Sequence, residues 1–330
     1  MRQIKSILRF LLFTSIILTI FSCSDQSDEP IDDNNEEALI CDTNTFFIRL
    51  DPSECAIDVQ NKLSVSSLYS ESLGTERTFQ TNSIPNHKVG MFPNSGNPNT
   101  ISVVDFEYQT SLSPTKGSST TSAQGYTFGI LMSGVSIDPF TAEYFKQSNN
   151  ESNRDWNITT LTNAVNLGLD CNNAHVQPSG KYHYHGTPSS LLSELDNNGE
   201  AMIHVGFAAD GFPIYYKYVE IEGAITTAES GYSLKEGERP GDGNSAPDGC
   251  YDGTYFQDYE YVSGTSVLDA CNGMTGKTPD SESEYFYVIT DNFPSAPLCF
   301  TGTPDNSFRN GAGPGPSGSA QPHHHHIILE

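Results

Sequence analysis

The stretch Leu169-Asp170-Cys171-Asn172-Asn173-Ala174-His175-Val176-Gln177-Pro178-Ser179-Gly180-Lys181-Tyr182-His183-Tyr184-His185-Gly186 decides how the rest of the chain is read. An extended chain turns successive side chains to opposite faces, so a strand over Tyr182–His185 puts His183 and His185 on one face and Tyr182 and Tyr184 on the other. Pro178-Ser179-Gly180 has turn chemistry, and a hairpin there folds His175 back beside the pair. Strand geometry holds such ligands with little conformational freedom left to lose, which makes a three-nitrogen metal site economical to build. The competing reading is a half-buried strand whose His and Tyr polar atoms are simply satisfied within a core.

Working outward, Ile203-His204-Val205-Gly206-Phe207 supplies a fourth imidazole. Strict alternation there groups His204, Gly206, Ala208 and Asp210, so Asp210 is expected as a carboxylate ligand or as a partner to one. His87 and Cys171 are weaker metal candidates, and Tyr182 and Tyr184 are candidates for supporting or redox roles beside the metal. Imidazole-rich ligation suits copper or zinc. A separate set of acidic residues, Asp242, Asp248, Asp252 and Asp258, offers oxygen ligands for calcium, although the EF-hand spacing is absent and Asp-Gly pairs mark turns as well.

Strands are expected at Phe46–Leu50, Ile101–Thr110, Tyr126–Ser133, Tyr182–His185, Met202–Ala208, Phe212–Val219, Tyr255–Val262 and Tyr285–Thr290. Short helices are expected at Thr141–Phe145, Leu161–Leu167 and Pro188–Leu195. The pattern implies a mainly β fold, sandwich-like or α+β, with a dominant antiparallel sheet, a few short helices and disulfides.

Residues 1–22 combine Arg2, Lys5 and Arg9 with the apolar run Phe10–Phe21, the layout of an export signal. Its ending, Ile20-Phe21-Ser22-Cys23, resembles a bacterial lipobox, which makes Cys23 the expected lipidation site and the membrane a partner through that anchor. Residues 23–38 are acidic and read as a flexible tether. Residues 39–305 read as one domain, and 306–330 as a disordered Gly/Pro/His tail that includes His323 to His326. The expected location is therefore the cell envelope, as an outer-membrane lipoprotein facing the periplasm or the outside.

Six further cysteines, Cys41, Cys55, Cys171, Cys250, Cys271 and Cys299, allow up to three disulfides in 15 connectivities, of which the local Cys41–Cys55 pair is the simplest. The formal charge of −25 argues against a nucleic-acid partner, since a phosphate backbone repels so acidic a chain. No nucleophile elbow, P-loop or dinucleotide fingerprint occurs.

The chain resembles the YHYH-domain family, whose name matches Tyr182-His183-Tyr184-His185. The similarity extends to Asn86-His87, Asn94-Ser95-Gly96-Asn97-Pro98-Asn99, Ile137-Asp138-Pro139-Phe140-Thr141-Ala142-Glu143 and Leu169–His175. It continues through Ala208-Ala209-Asp210-Gly211-Phe212-Pro213-Ile214-Tyr215, Gln257-Asp258-Tyr259-Glu260-Tyr261 and Leu268-Asp269-Ala270-Cys271-Asn272-Gly273, covering roughly residues 84 to 305. Cys250 departs from the family pattern and Cys41 and Cys55 lie outside it, so the resemblance leaves the pairing open. It implies no established activity. Two functional expectations follow from the residues: a His-based copper or zinc centre serving metal-dependent oxidoreductase or hydrolase chemistry, or a cell-surface module binding a glycan or protein through exposed aromatic platforms, with an extracellular or periplasmic ligand.

Overall fold

The fold is built on one mixed sheet of eight short strands, seen in a computed structural model that describes residues 41, 46–59, 68–195 and 198–311. In chain order these strands are β1 (Gly129–Leu131), β2 (Ser136–Ile137), β3 (Ala174–Val176), β4 (Tyr182–Tyr184), β5 (Ile203–Ala208), β6 (Pro213–Tyr216), β7 (Gly273–Thr278) and β8 (Ser281–Ile289). Their order across the sheet is β7-β8-β6-β5-β1-β2-β4-β3. Five of the seven pairings are antiparallel; β6 with β8 and β2 with β4 are parallel. The mainly β architecture with a dominant sheet is therefore as the sequence implies.

A second sheet of three antiparallel strands, Leu68–Leu73, Glu76–Thr81 and Phe106–Ser111, supplies the sandwich-like layer. Phe79 meets Phe207 of β5 at 5.7 Å between ring centroids, and Phe106 faces the ammonium of Lys181 at 4.9 Å. The core between and around these layers is rich in aromatic and β-branched side chains, among them Phe128, Ile130, Ile137, Tyr182, Tyr184, Ile214 and Tyr287, all essentially without exposure. Such residues fit a pleated, buried surface, which is why they form strands here.

Several local expectations fail for identifiable reasons. Helix α1 (Ser189–Leu195) forms where Pro188 and the leucine spacing place it. Leu161–Leu167 does not form a helix, because Thr162 Oγ1 accepts from the Ala164 N–H and Asn166 Oδ1 from the Gly168 N–H, offering the backbone an alternative to helical pairing. At Thr141 the hydroxyl likewise captures the Glu143 N–H, and Tyr144–Lys146 becomes a strand paired with Ser152–Asn157. Phe46–Leu50 lies outside any strand. Part of the expected tail belongs to the fold: Asn306–Phe308 is a 3-10 turn, and buried Phe308 stacks on Tyr108 at 4.3 Å.

The disulfides are Cys41–Cys250, Cys55–Cys171 and Cys271–Cys299, with Cα separations of 5.7, 5.8 and 5.0 Å. The local Cys41–Cys55 pairing is thus wrong: the topology brings each of these two to a partner more than 100 residues away. The export signal, the tether, Cys23 and His323 to His326 lie outside the described residues.

Candidate metal centre

The hairpin β3–β4 carries the centre. Its turn is closed by the Gly180 N–H donating to Gln177 O at 2.8 Å, with Pro178 at the first corner and Gly180 at a φ of +92°, where a side chain would be strained. That closure sets the register, which places His175 directly opposite His183. His185 follows two residues on, on the same face as His183. The three rings sit 4.7 to 4.8 Å apart between centroids, and each offers a ligand nitrogen within 4.8 Å of the others.

The protons on these rings can be assigned from their partners. His175 Nδ1–H donates to Leu167 O at 3.0 Å, which leaves the His175 Nε2 lone pair facing His185 Nε2 at 3.1 Å. A proton on one nitrogen, or a cation between the two, is needed to make that approach favourable. The separation is close to the roughly 3.4 Å between two imidazole nitrogens on tetrahedral zinc.

Burial holds all three rings neutral. Desolvation pushes His183 and His185 well below the ordinary imidazole range, helped at His183 by His185, His175 and the charge of Lys181 and at His185 by His175 and Lys181, against the opposing backbone of Lys181 and Asp138 respectively. The pKa of His175 is lowered by the same cause, against the opposing Leu167 carbonyl and Glu143 charge. Neutral imidazole is the metal-binding form. The Nδ1 atoms of His183 and His185 are buried without a hydrogen-bond partner of normal geometry, and each such omission costs roughly 1–3 kcal/mol. This does not fit a cluster kept only as satisfied core. His183 and His185 are 3% and 2% exposed while His175 is half-buried, so access to the centre runs past His175.

His204 and Asp210 do not join this group. The sequence expects His204, Gly206, Ala208 and Asp210 on one face, but a bulge between His204 and Gly206 breaks the alternation. His204 instead shares its side with Phe207, whose ring it meets edge-on at 4.8 Å, and its Nε2–H donates to Gly206 O at 2.9 Å. The bulge falls at a glycine because a Cβ there would collide with Ile130 O and Leu131. Asp210 accepts from Tyr287 Oη at 2.6 Å and from the Gly302 N–H at 2.9 Å.

The remaining candidates are occupied elsewhere. Burial takes His87 down to about 4; its Nδ1–H donates to Lys88 O at 2.8 Å and its Nε2 accepts from Tyr184 Oη. Cys171 is in a disulfide and cannot serve as a thiolate ligand, and Asp170 beside it accepts from Tyr182 Oη at 2.8 Å and the Gly90 N–H at 2.9 Å. Tyr182 and Tyr184 therefore spend their hydroxyls on the face away from the imidazoles, which corrects the expectation of a supporting or redox role beside them.

The calcium expectation also fails. Asp252 and Asp258 are both paired with Arg239, and Asp242 accepts from the N–H groups of Asn244, Ser245 and Ala246. Among the described residues no group of metal-ligating atoms gathers at these aspartates.

Two surface depressions are formed by Glu200, Met202, Glu220, Lys277 and Asp280 (about 470 Å³) and by Glu76, Gln109, Ala209 and Asp305 (about 300 Å³) among others. Neither is lined by an aromatic side chain, so neither provides the platform that a glycan-binding reading requires.

Sequence reasoning missed the surroundings of the triad. Lys181 and Asp138 are both buried, with Nζ 4.0 Å from Oδ2. Asp138 arrives beside β4 through the parallel pairing of a two-residue strand, for which the sequence carries no periodic signal.

Fold and site together define a disulfide-linked, mainly β protein with a three-histidine centre on a hairpin. A family model described as YHYH protein matches residues 107–302, more than half of the chain, and the chain belongs to that family. The match includes all three histidines of the centre, and leaves out His87 and the loop Asn94–Asn99. No curated protein and no solved structure matches the chain.

Proposed function

We propose that His175, His183 and His185 bind one copper or zinc ion through nitrogen ligands, in an exported protein anchored to the bacterial envelope through lipidated Cys23. The observation that carries the metal reading is the convergence of three neutral imidazoles, two buried and one half-buried, in which His175 is held by Leu167 O with its Nε2 turned toward His185. A backbone carbonyl behind a ligand histidine is the usual way to fix its tautomer and orientation. A zinc ion held by these three side chains would acidify a bound water for hydrolysis, and a copper ion held there would support electron transfer to or from a bound substrate. Export is supported by the leader pattern and by three disulfides, which persist in oxidising compartments.

The test is metal content per chain, by elemental mass spectrometry, on the full chain exported to the periplasm with His323→Ser, His324→Ser, His325→Ser and His326→Ser removing adventitious tail binding. About one equivalent of copper or zinc is expected, and none in a His183→Ala, His185→Ala variant that keeps its circular dichroism spectrum. A wild-type protein that stays metal-free after challenge with either ion overturns the reading.

A further inference from the structure

Resting on the metal reading, we propose that Asp138 governs which exogenous ligand the centre accepts: its free carboxylate oxygen takes a hydrogen bond from a protic oxygen ligand, such as water or a hydroxyl-bearing substrate, and repels aprotic anions. The parallel pairing of β2 with β4 sets His183 beside Ser136 and Tyr184 beside Ile137, and the Asp138 N–H donates to Tyr184 O at 2.8 Å. The next step of the ladder puts Asp138 alongside His185. By strand parity Ser136, Asp138, His183 and His185 all present their side chains to one face.

That face is where the unmet polar atoms collect. Of the ten buried side-chain nitrogen and oxygen atoms without a hydrogen-bond partner among the described residues, four are Ser136 Oγ, Asp138 Oδ1, His183 Nδ1 and His185 Nδ1. Buried polar groups in folded proteins are normally satisfied, so a patch of four points to something bound there. Asp138 itself is 6% exposed.

The two oxygens of Asp138 have different surroundings. Lys181 Nζ approaches Oδ2 at 4.0 Å and is itself held by Thr127 Oγ1 at 3.4 Å and by the Phe106 ring. Oδ1 has no partner. The carboxylate is not among the atoms that converge with the three imidazoles, so it addresses what the metal carries and not the metal itself. Burial raises the pKa of Asp138, and the Lys181 charge, the Thr127 hydroxyl and the Phe128 N–H oppose that rise. A carboxylate charge on this face, shielded from solvent, favours a ligand that brings a hydrogen-bond donor and disfavours one that brings only negative charge.

Azide is the probe, titrated into the copper(II)-loaded full chain lacking the four tail histidines and followed by its charge-transfer absorption. Asp138→Asn is expected to bind azide at least about tenfold more tightly than the wild type, with copper affinity unchanged within about threefold. Because the single variant leaves Lys181 buried without its counter-charge, the double variant Asp138→Asn, Lys181→Met serves where the single one does not fold, and about threefold tighter azide is expected of it. Equal azide affinity in wild type and variant overturns the role of Asp138 while leaving the metal centre standing; failure of the wild type to load copper overturns both.

Discussion

Replacing His183 by Leu should separate the metal reading from that of a satisfied core. His183 is 3% exposed, its pKa is held well below the ordinary range chiefly by burial, and its Nδ1 lacks a hydrogen-bond partner of normal geometry. Leu is similar in volume and removes the unpaired nitrogen, so the desolvation cost of roughly 1–3 kcal/mol disappears from the metal-free protein. His183→Leu should therefore melt at or above the wild type in EDTA, by about 2 °C per kcal/mol for a chain of this size. Saturating metal reverses the order. At a free metal concentration about a hundred times Kd, the wild type gains about 2.7 kcal/mol and the variant nothing. Thermal melts followed by circular dichroism, with EDTA and with zinc or copper, read both effects in one experiment. A variant at least about 1 kcal/mol less stable than the wild type in EDTA, together with a wild-type melt that ignores metal, would refute the reasoning and return the cluster to the core.

Three further outcomes are expected. His87 has a folded-state pKa of about 4 against an ordinary 6.5, so the unfolded chain takes up the proton first; its contribution is complete above pH 6.5 and falls by about 3 kcal/mol as pH drops to 4. His87→Gln should flatten that part of the stability–pH curve measured by urea unfolding, and an unchanged slope would count against it. Phe308→Ala should cost about 3–5 kcal/mol in the same assay, because Phe308 is 1% exposed and stacked on Tyr108; a loss under about 1 kcal/mol would return residues 306–311 to the tail. Arg239→Met should cost about 3–5 kcal/mol by stranding Asp258, whose side chain is fully buried, whereas calcium should leave the wild-type melting temperature unmoved; a calcium-dependent rise would restore the oxygen-ligand reading of these aspartates.

The centre was legible where structure is local and regular. The Tyr182–His185 string obeys strand alternation, and Pro178-Ser179-Gly180 announces the turn that returns His175, so three ligands follow from eleven consecutive residues. His204 was misplaced because a bulge inserts one extra residue between it and Gly206, and period-two reasoning has no way to detect the insertion. Asp138 was invisible as a neighbour of His185, since a parallel pairing across more than forty residues of chain leaves no mark on either segment. The disulfides were equally closed to sequence: Cys55 and Cys171 are 116 positions apart, and only the completed topology selects that pair among the alternatives. Helical spacing in Leu161–Leu167 misled because Thr162 and Asn166 satisfy nearby backbone groups themselves.

The hairpin strand β3 is the last strand of its sheet, so one ligand of the centre, His175, sits on an open margin. Such a margin is a template for another chain to add to. Here Val176 O is already taken by two side-chain amides, Asn97 Nδ2 at 2.9 Å and Asn99 Nδ2 at 2.7 Å. The Asn94–Asn99 loop thus works as a guard against aggregation: it occupies an acceptor that an incoming strand would use, yet contributes no strand whose own outer edge would need guarding. That arrangement withholds from an incoming strand an acceptor on the outer edge of the histidine hairpin.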